Sequence, residues 1–247
     1  MSNNFIRSDA VYHRWSATPI AAAIRRLVPR HVYAKDEVDR LANDWHQAPD
    51  AELISAIKLK SMLHEKTLSL LHHFAGKVRG AILEIGPYTG GSTIAMATAL
   101  RDGVPLITIE MGGSYEQHPH LPSADILGDL DANLREFGVR ERVTIINGVS
   151  SAPATVCQVE SRLAGRRIDL LFIDADGQVG RDFAAYRPFL AKRAIIALDD
   201  FETPDAEAAR LKQEPVRAFV AEAVGAGLAR ELGVFPWGTW FGQCLSR

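Results

Sequence analysis

The strongest constraint on this chain is a rhythm that begins at Ala81. Short, continuously apolar runs rich in β-branched residues alternate with helix-like stretches. The runs are AILEIG at 81–86, PLITIE at 105–110, VTIINGV at 143–149, IDLLFID at 168–174 and RAIIALDDF at 193–201, and the stretches between include STIAMATAL, SADILGDLDANLREF and APATVCQVESRLA. Strands apolar on both faces belong in a parallel sheet covered by helices on either side. Repeated strand–helix–strand units of this length close as right-handed crossovers, giving a doubly wound α/β sheet. After a long helix-like stretch around Asp205 to Leu228 the pattern changes to ARELGVFPW and GTWFGQCL, separated by Pro236-Trp237-Gly238. This reads as an antiparallel hairpin. The expectation is a mostly parallel, seven-stranded sheet ending in that hairpin.

Residues 1–80 look helical, with a break near Gln47-Ala-Pro-Asp50 and an amphipathic stretch, ELISAIKLKSMLHEKTLSLLHHF. The expected organisation is an N-terminal helical cap or dimerisation arm over 1–60, through which a homodimer would form, and a ligand-binding domain over 61–247. A chain of 247 residues with 47% hydrophobic residues can bury one full core. A net charge of -2 gives no electrostatic footprint for a phosphate backbone, which argues against nucleic acid as a partner. Cys157 and Cys244 are too few for a disulfide framework and sit in apolar segments, so buried reduced thiols are expected. The start, MSNNFIRSDAVYHRW, has no uninterrupted apolar run, and nothing further on reaches membrane-span length. A cytoplasmic protein with no membrane partner is expected.

In an open parallel sheet, ligands sit beyond the carboxyl ends of the strands where the strand order reverses. The loop after the first strand reads Glu84-Ile85-Gly86-Pro87-Tyr88-Thr89-Gly90-Gly91-Ser92. Its glycines permit close backbone approach, and Ser92 is a candidate cap for the next helix, whose first amides would face an anionic group such as a carboxylate. A glycine-rich turn can also serve packing alone. The loop is not a dinucleotide loop, because Tyr88 stands where G-x-G-x-x-G needs its second glycine beside the pyrophosphate. Glu110, at the end of the second strand, can accept hydrogen bonds from both hydroxyls of a ribose.

These residues resemble class I S-adenosylmethionine-dependent methyltransferases, and among them the metal-dependent small-molecule O-methyltransferases related to catechol and caffeoyl-CoA O-methyltransferases and to bacterial natural-product methyltransferases. LEIGPYTGGST, LITIEM and the FIDAD … LDDF pair carry the resemblance, which spans roughly residues 60–245. It implies a Rossmann-like fold and S-adenosylmethionine as cofactor. By this resemblance Glu84, Gly86, Tyr88 and Ser92 hold the methionine end, Glu110 takes the ribose, and Met111 lies against the adenine. Val149 and Ser150 frame the adenine, and Asp176 approaches its edge. A plain loop is an equally good reading of Ser150.

The fourth strand ends in Asp174-Ala175-Asp176 and the fifth in Asp199-Asp200, at the same sheet edge as the glycine loop. Converging carboxylates repel one another and raise one another's pKa unless a cation or proton sits among them. Mg²⁺, a hard ion that takes oxygen ligands, fits such a set. Asp174, Asp199 and Asp200 resemble the family's metal ligands, with Asp200 where the family usually has Asn. Asp174 also stands among the expected cofactor contacts and catalytic residues. The competing reading is helix capping by Asp199, Asp200 or Asp176.

The resemblance departs at Gly177 and Gln178, where the family carries a lysine or histidine base. The inserted loop GGSYEQHPHLPSAD offers His118 and His120 as candidate catalytic bases, or is simply a surface loop. Trp237, Trp240 and Phe241 read first as core and interface packing, with an aromatic-lined acceptor pocket as the alternative. The expected activity is Mg²⁺-assisted O-methylation of a small hydroxylated metabolite. Metal-independent N-, C- or carboxyl methylation, and cofactor binding without transfer, are the alternatives.

Overall fold

The structure, a computed structural model, describes residues 31–202 and 209–245. In chain order its main elements are α1 (Lys35–Asn43), α2 (Ala51–Lys58), α3 (Glu65–Ala75), β1 (Ala81–Ile85), α4 (Gly91–Ala99), β2 (Leu106–Glu110), α5 (Ile126–Glu136), β3 (Val143–Asn147), α6 (Pro153–Leu163), β4 (Ile168–Ile173), α7 (Val179–Tyr186), β5 (Leu190–Leu198), a π-helical turn (Ala209–Gln213) leading into α8 (Glu214–Gly225), β6 (Ala229–Phe235) and β7 (Thr239–Cys244).

The seven strands form one sheet in the order β3-β2-β1-β4-β5-β7-β6. The first five are parallel, and β7 pairs antiparallel with both β5 and β6. The expected doubly wound sheet and terminal hairpin are both present. The order reverses between β1 and β4, so the loops after these two strands open side by side.

The alternation of side chains builds two core layers. On β1, Ile82 points into the layer with Leu68, Leu71 and Phe74 of α3 and Ile94 of α4. Ala81, Leu83 and Ile85 point into the opposite layer with Val159 and Leu163 of α6, Phe183 of α7 and Val220 of α8. Trp240 and Phe241 of β7 are fully buried, one in each layer, as core packing requires. Each fully buried Leu or Phe contributes about 2 kcal/mol.

Val38 and Ala42 of α1 and Ile54 and Ile57 of α2 are buried in the same layer as α3, so within the described chain the core runs unbroken past residue 60. The rest of the expected arm, residues 1–30, lies outside the described residues. The single amphipathic stretch expected over 52–74 is two helices. Between them Ser61 Oγ accepts the Leu63 amide at 3.1 Å and His64 Nδ1 accepts the Lys66 amide at 3.1 Å. Local side-chain acceptors thus compete with the helix ladder. Cys157 corrects a further expectation: it lies exposed on α6, its place in the helix turning it outward, while Cys244 is buried. Among the described residues, no helix is long and apolar enough to cross a membrane.

Candidate active site

The loop after β1 is held in a conformation that its glycines permit. Gly86 has φ +81°, and a Cβ there would stand 1.8 Å from the carbonyl oxygen of Asp174. Glycine therefore lets the ends of β1 and β4 close together. Tyr88 (φ +50°) and Gly90 (φ +96°) complete the turn. Gly90 is the N-cap of α4, with no side-chain cap, which leaves the first-turn amides able to bind an anion.

Ser92, expected as that cap, instead lies inside α4 and donates to Glu84 Oε1 at 2.5 Å, while Thr93 donates to Oε2 at 2.6 Å. Glu84 is fully buried. Burial pushes its carboxyl up, and the hydroxyls pull it back. It therefore braces the glycine loop from beneath.

Glu110 ties β2 to the same loop. Its Oε2 accepts the Tyr88 amide at 3.2 Å and its Oε1 the Gly112 amide at 3.0 Å. Burial raises its pKa against the pull of those amides. Asn147, which the sequence reading passed over, joins the ends of β2 and β3 by donating to the carbonyls of Glu110 and Met111, both at 3.0 Å. Met111 and Val149 are 66% and 48% exposed beside this junction, apolar surface of the kind a flat aromatic ligand would cover.

Ser150 is committed inward. Its hydroxyl donates to the buried Asp182 at 2.6 Å, and its carbonyl accepts from the Tyr186 hydroxyl at 2.5 Å. Arg181 pairs with Asp182 at 3.1 Å and with Asp176 at 3.0 Å. Asp176 also accepts the Gln178 amide at 3.0 Å. The stretch after β4 and the stretch after β3 are thus one polar network.

The two aspartate clusters meet. Asp174, Asp199 and Asp200 each offer a carboxylate oxygen, and these atoms lie within 4.8 Å of one another. Burial, then the neighbouring Asp199 and Asp200, hold the Asp174 carboxyl well above the usual range. Burial and Asp200 push Asp199 up to about 7, against the Thr239 hydroxyl that donates to its Oδ1. Asp200 has φ +58°, a left-handed conformation that Asp and Asn tolerate best among residues with a side chain.

A fourth group, missed in the sequence, is Lys212 on the π-helical turn, with Nζ 3.0 Å from Asp200 Oδ2. Burial lowers its pKa, but the three carboxylates outweigh burial and leave it raised. Three oxygen donors in this compass suit a hard divalent ion. Among the described residues this is the group of acidic, His or Cys side chains with the spacing to hold one.

His118 and His120 sit in the loop after β2. His118 Nδ1 accepts the amides of His120 and Leu121 at 3.2 and 2.9 Å, and the ring lies 5.8 Å from that of Tyr88. The Tyr88 hydroxyl donates to the Leu121 carbonyl. His118 therefore spends one ring nitrogen on loop structure, and burial, with His120 beside it, lowers its pKa. His120 is exposed.

On the other flank, Trp237 is 58% exposed at the hairpin tip, with Lys58 Nζ 4.7 Å above its ring and His64 edge-on at 5.0 Å. The segment between α2 and α3 also reaches the glycine loop. Thr89 Oγ1 donates to the Lys60 carbonyl at 3.3 Å, and a Cβ on Gly91 would stand 2.4 Å from that of Ser61.

Residues 83–201 match the model of a methyltransferase domain family. No curated protein matches the chain in sequence. Among solved structures, the chain is similar to the O-methyltransferase TomG of Streptomyces achromogenes, involved in tomaymycin synthesis and solved with S-adenosylmethionine (19% identity over 95% of this chain and 98% of that one, TM-score 0.55). It is similar to an O-methyltransferase of Bacillus cereus in complex with S-adenosylhomocysteine (19% identity, 95% and 99%, TM-score 0.52). It is also similar to the methyltransferase PaMTH1 of Podospora anserina bound to S-adenosylhomocysteine (19% identity, 100% and 98%, TM-score 0.53). Over residues 83–201 the chain matches a methyltransferase domain model, and its fold is the one found in these solved methyltransferases.

Proposed function

We propose that the chain transfers the methyl group of S-adenosylmethionine to an oxygen of a small hydroxylated molecule, with Mg²⁺ held by Asp174, Asp199 and Asp200. The observation that carries this reading is the meeting of three carboxylates within 4.8 Å at the mouth of the glycine loop. A binding module has no use for such a costly group.

In this reading the open first turn of α4 receives the cofactor's carboxylate, Glu110 its ribose, and the Met111 and Val149 surface its adenine. The backbone contact of Gly86 with Asp174 sets the distance between cofactor and acceptor. The cofactor would supply its sulfonium methyl to the acceptor oxygen, with the hydroxyl proton passing to solvent and S-adenosylhomocysteine left behind. A bound Mg²⁺ supplies acidification of the acceptor hydroxyl and a fixed direction for its oxygen. Thr239 and Asp200's left-handed backbone orient the carboxylates.

One observation favours a second reading, metal-independent transfer: the Lys212 ammonium already lies 3.0 Å from Asp200. Calorimetric titration with S-adenosylhomocysteine, in Mg²⁺ and again in EDTA with NAD⁺ as control, tests the cofactor. Transfer of a labelled methyl group to a panel of phenols and alcohols tests the acceptor. Activity lost in EDTA supports the metal reading, and activity unchanged in EDTA supports the second. No binding of the homocysteine compound would overturn both.

A further inference from the structure

We infer that Lys212 is a built-in counter-cation of the Asp174–Asp199–Asp200 group, and that it and a divalent ion oppose one another there. The inference rests on the metal reading above and concerns what sets the affinity of that site. Lys212 Nζ lies 3.0 Å from Asp200 Oδ2. It is also within electrostatic reach of Asp174 and Asp199.

Its approach is built into the backbone. A Cβ on Gly177 (φ +78°) would stand 2.7 Å from Lys212 Cα and 3.1 Å from the Leu211 carbonyl oxygen. A side chain at position 177 would therefore push the lysine's own backbone off the site. Lys212 is carried on the π-helical turn Ala209–Gln213, and such a turn re-aims side chains relative to an α-helix.

With all three carboxyls ionised, as metal ligation requires, a single ammonium leaves an excess of negative charge that attracts a divalent ion. That ion must nevertheless approach a cation in a partly dry environment, where like charges repel strongly. The folded protein can therefore keep its carboxylates together without metal, at the cost of weaker metal binding.

Removing the charge should tighten the site. The test is Mn²⁺ binding to the full chain, read by electron paramagnetic resonance, in wild type, Lys212→Met and Lys212→Arg, with S-adenosylhomocysteine affinity as the check on folding. Opposition predicts at least about ten-fold tighter Mn²⁺ binding in Lys212→Met, with Lys212→Arg close to wild type. Should Lys212→Met not fold, Lys212→Gln serves for the same comparison. Equal or weaker binding in the neutral variants would overturn the inference while leaving a metal site in place. Absence of Mn²⁺ binding in every variant would overturn both the metal reading and the inference.

Discussion

The two halves of the site are built on opposite principles. Around the glycine loop, each charged group is answered locally: Glu84 by Ser92 and Thr93, Glu110 by the amides of Tyr88 and Gly112. Around the aspartates, three carboxylates crowd within 4.8 Å, answered by a hydroxyl from β7, the Asp200 amide and an ammonium from a π-helical turn. The first half is preorganised and internally satisfied. The second is held under electrostatic tension, the condition expected where a cation or reacting group is to be received.

The sharpest way to break this contrast is at the point where the halves touch. Gly86→Ala forces a Cβ to within 1.8 Å of the Asp174 carbonyl at φ +81°. It should cost about 3–5 kcal/mol in urea unfolding and remove S-adenosylhomocysteine binding with it. Next in size, Asp199→Ala should lower methyl transfer about a hundred-fold or more while leaving S-adenosylhomocysteine affinity within about ten-fold. Full activity in that variant would end the division of labour.

A change confined to the satisfied half should show first in stability. Glu84→Gln offers an amide where two hydroxyls donate, and should cost about 1–3 kcal/mol by denaturant titration, with weakened cofactor binding. The smallest effect is a pH dependence belonging to the tense half. Asp199 stands at about 7 in the fold against 3.8 for the free side chain. A carboxyl raised by folding keeps its proton more tightly in the native state, so its favourable contribution is complete below the unfolded value and is lost as pH rises through about 7. In EDTA, stability should fall by about 1 kcal/mol between pH 6 and pH 8, and Asp199→Asn should flatten that slope.

The same contrast decides what could be read in the chain. The parallel strands were legible because a strand buried on both faces is mostly apolar and β-branched, as LITIE and IDLLFI are. In the satisfied half Glu84, Ser92 and Glu110 were legible as candidates because they fall within one βαβ unit, but the donation from Ser92 and Thr93 to Glu84 was not, Ser92 having read as a helix cap. Asp174, Asp199 and Asp200 were legible as strand ends sharing an edge, where topology alone brings them together. Lys212 was not, since RLKQEP reads as ordinary solvated helix, and only the packing of its backbone on Gly177 reveals its aim. Thr239 was hidden likewise, its partner Asp199 being 40 residues away. The break between α2 and α3 escaped because Leu59 and Met62 continue the apolar pattern, though in the fold both are exposed.

That break carries a consequence of its own. The segment Leu59–His64 lends a carbonyl to Thr89 in the glycine loop and an aromatic contact to Trp237 at the hairpin tip. Whatever settles against Trp237 and whatever settles against the glycine loop therefore rest on one short stretch of backbone. If occupancy of either place stiffens that stretch, part of the ordering is already complete when the second ligand arrives. Reciprocity then requires each ligand to sharpen the other's affinity by the same factor. Two ligands resting there would bind as a cooperative pair, through a segment that belongs to neither place.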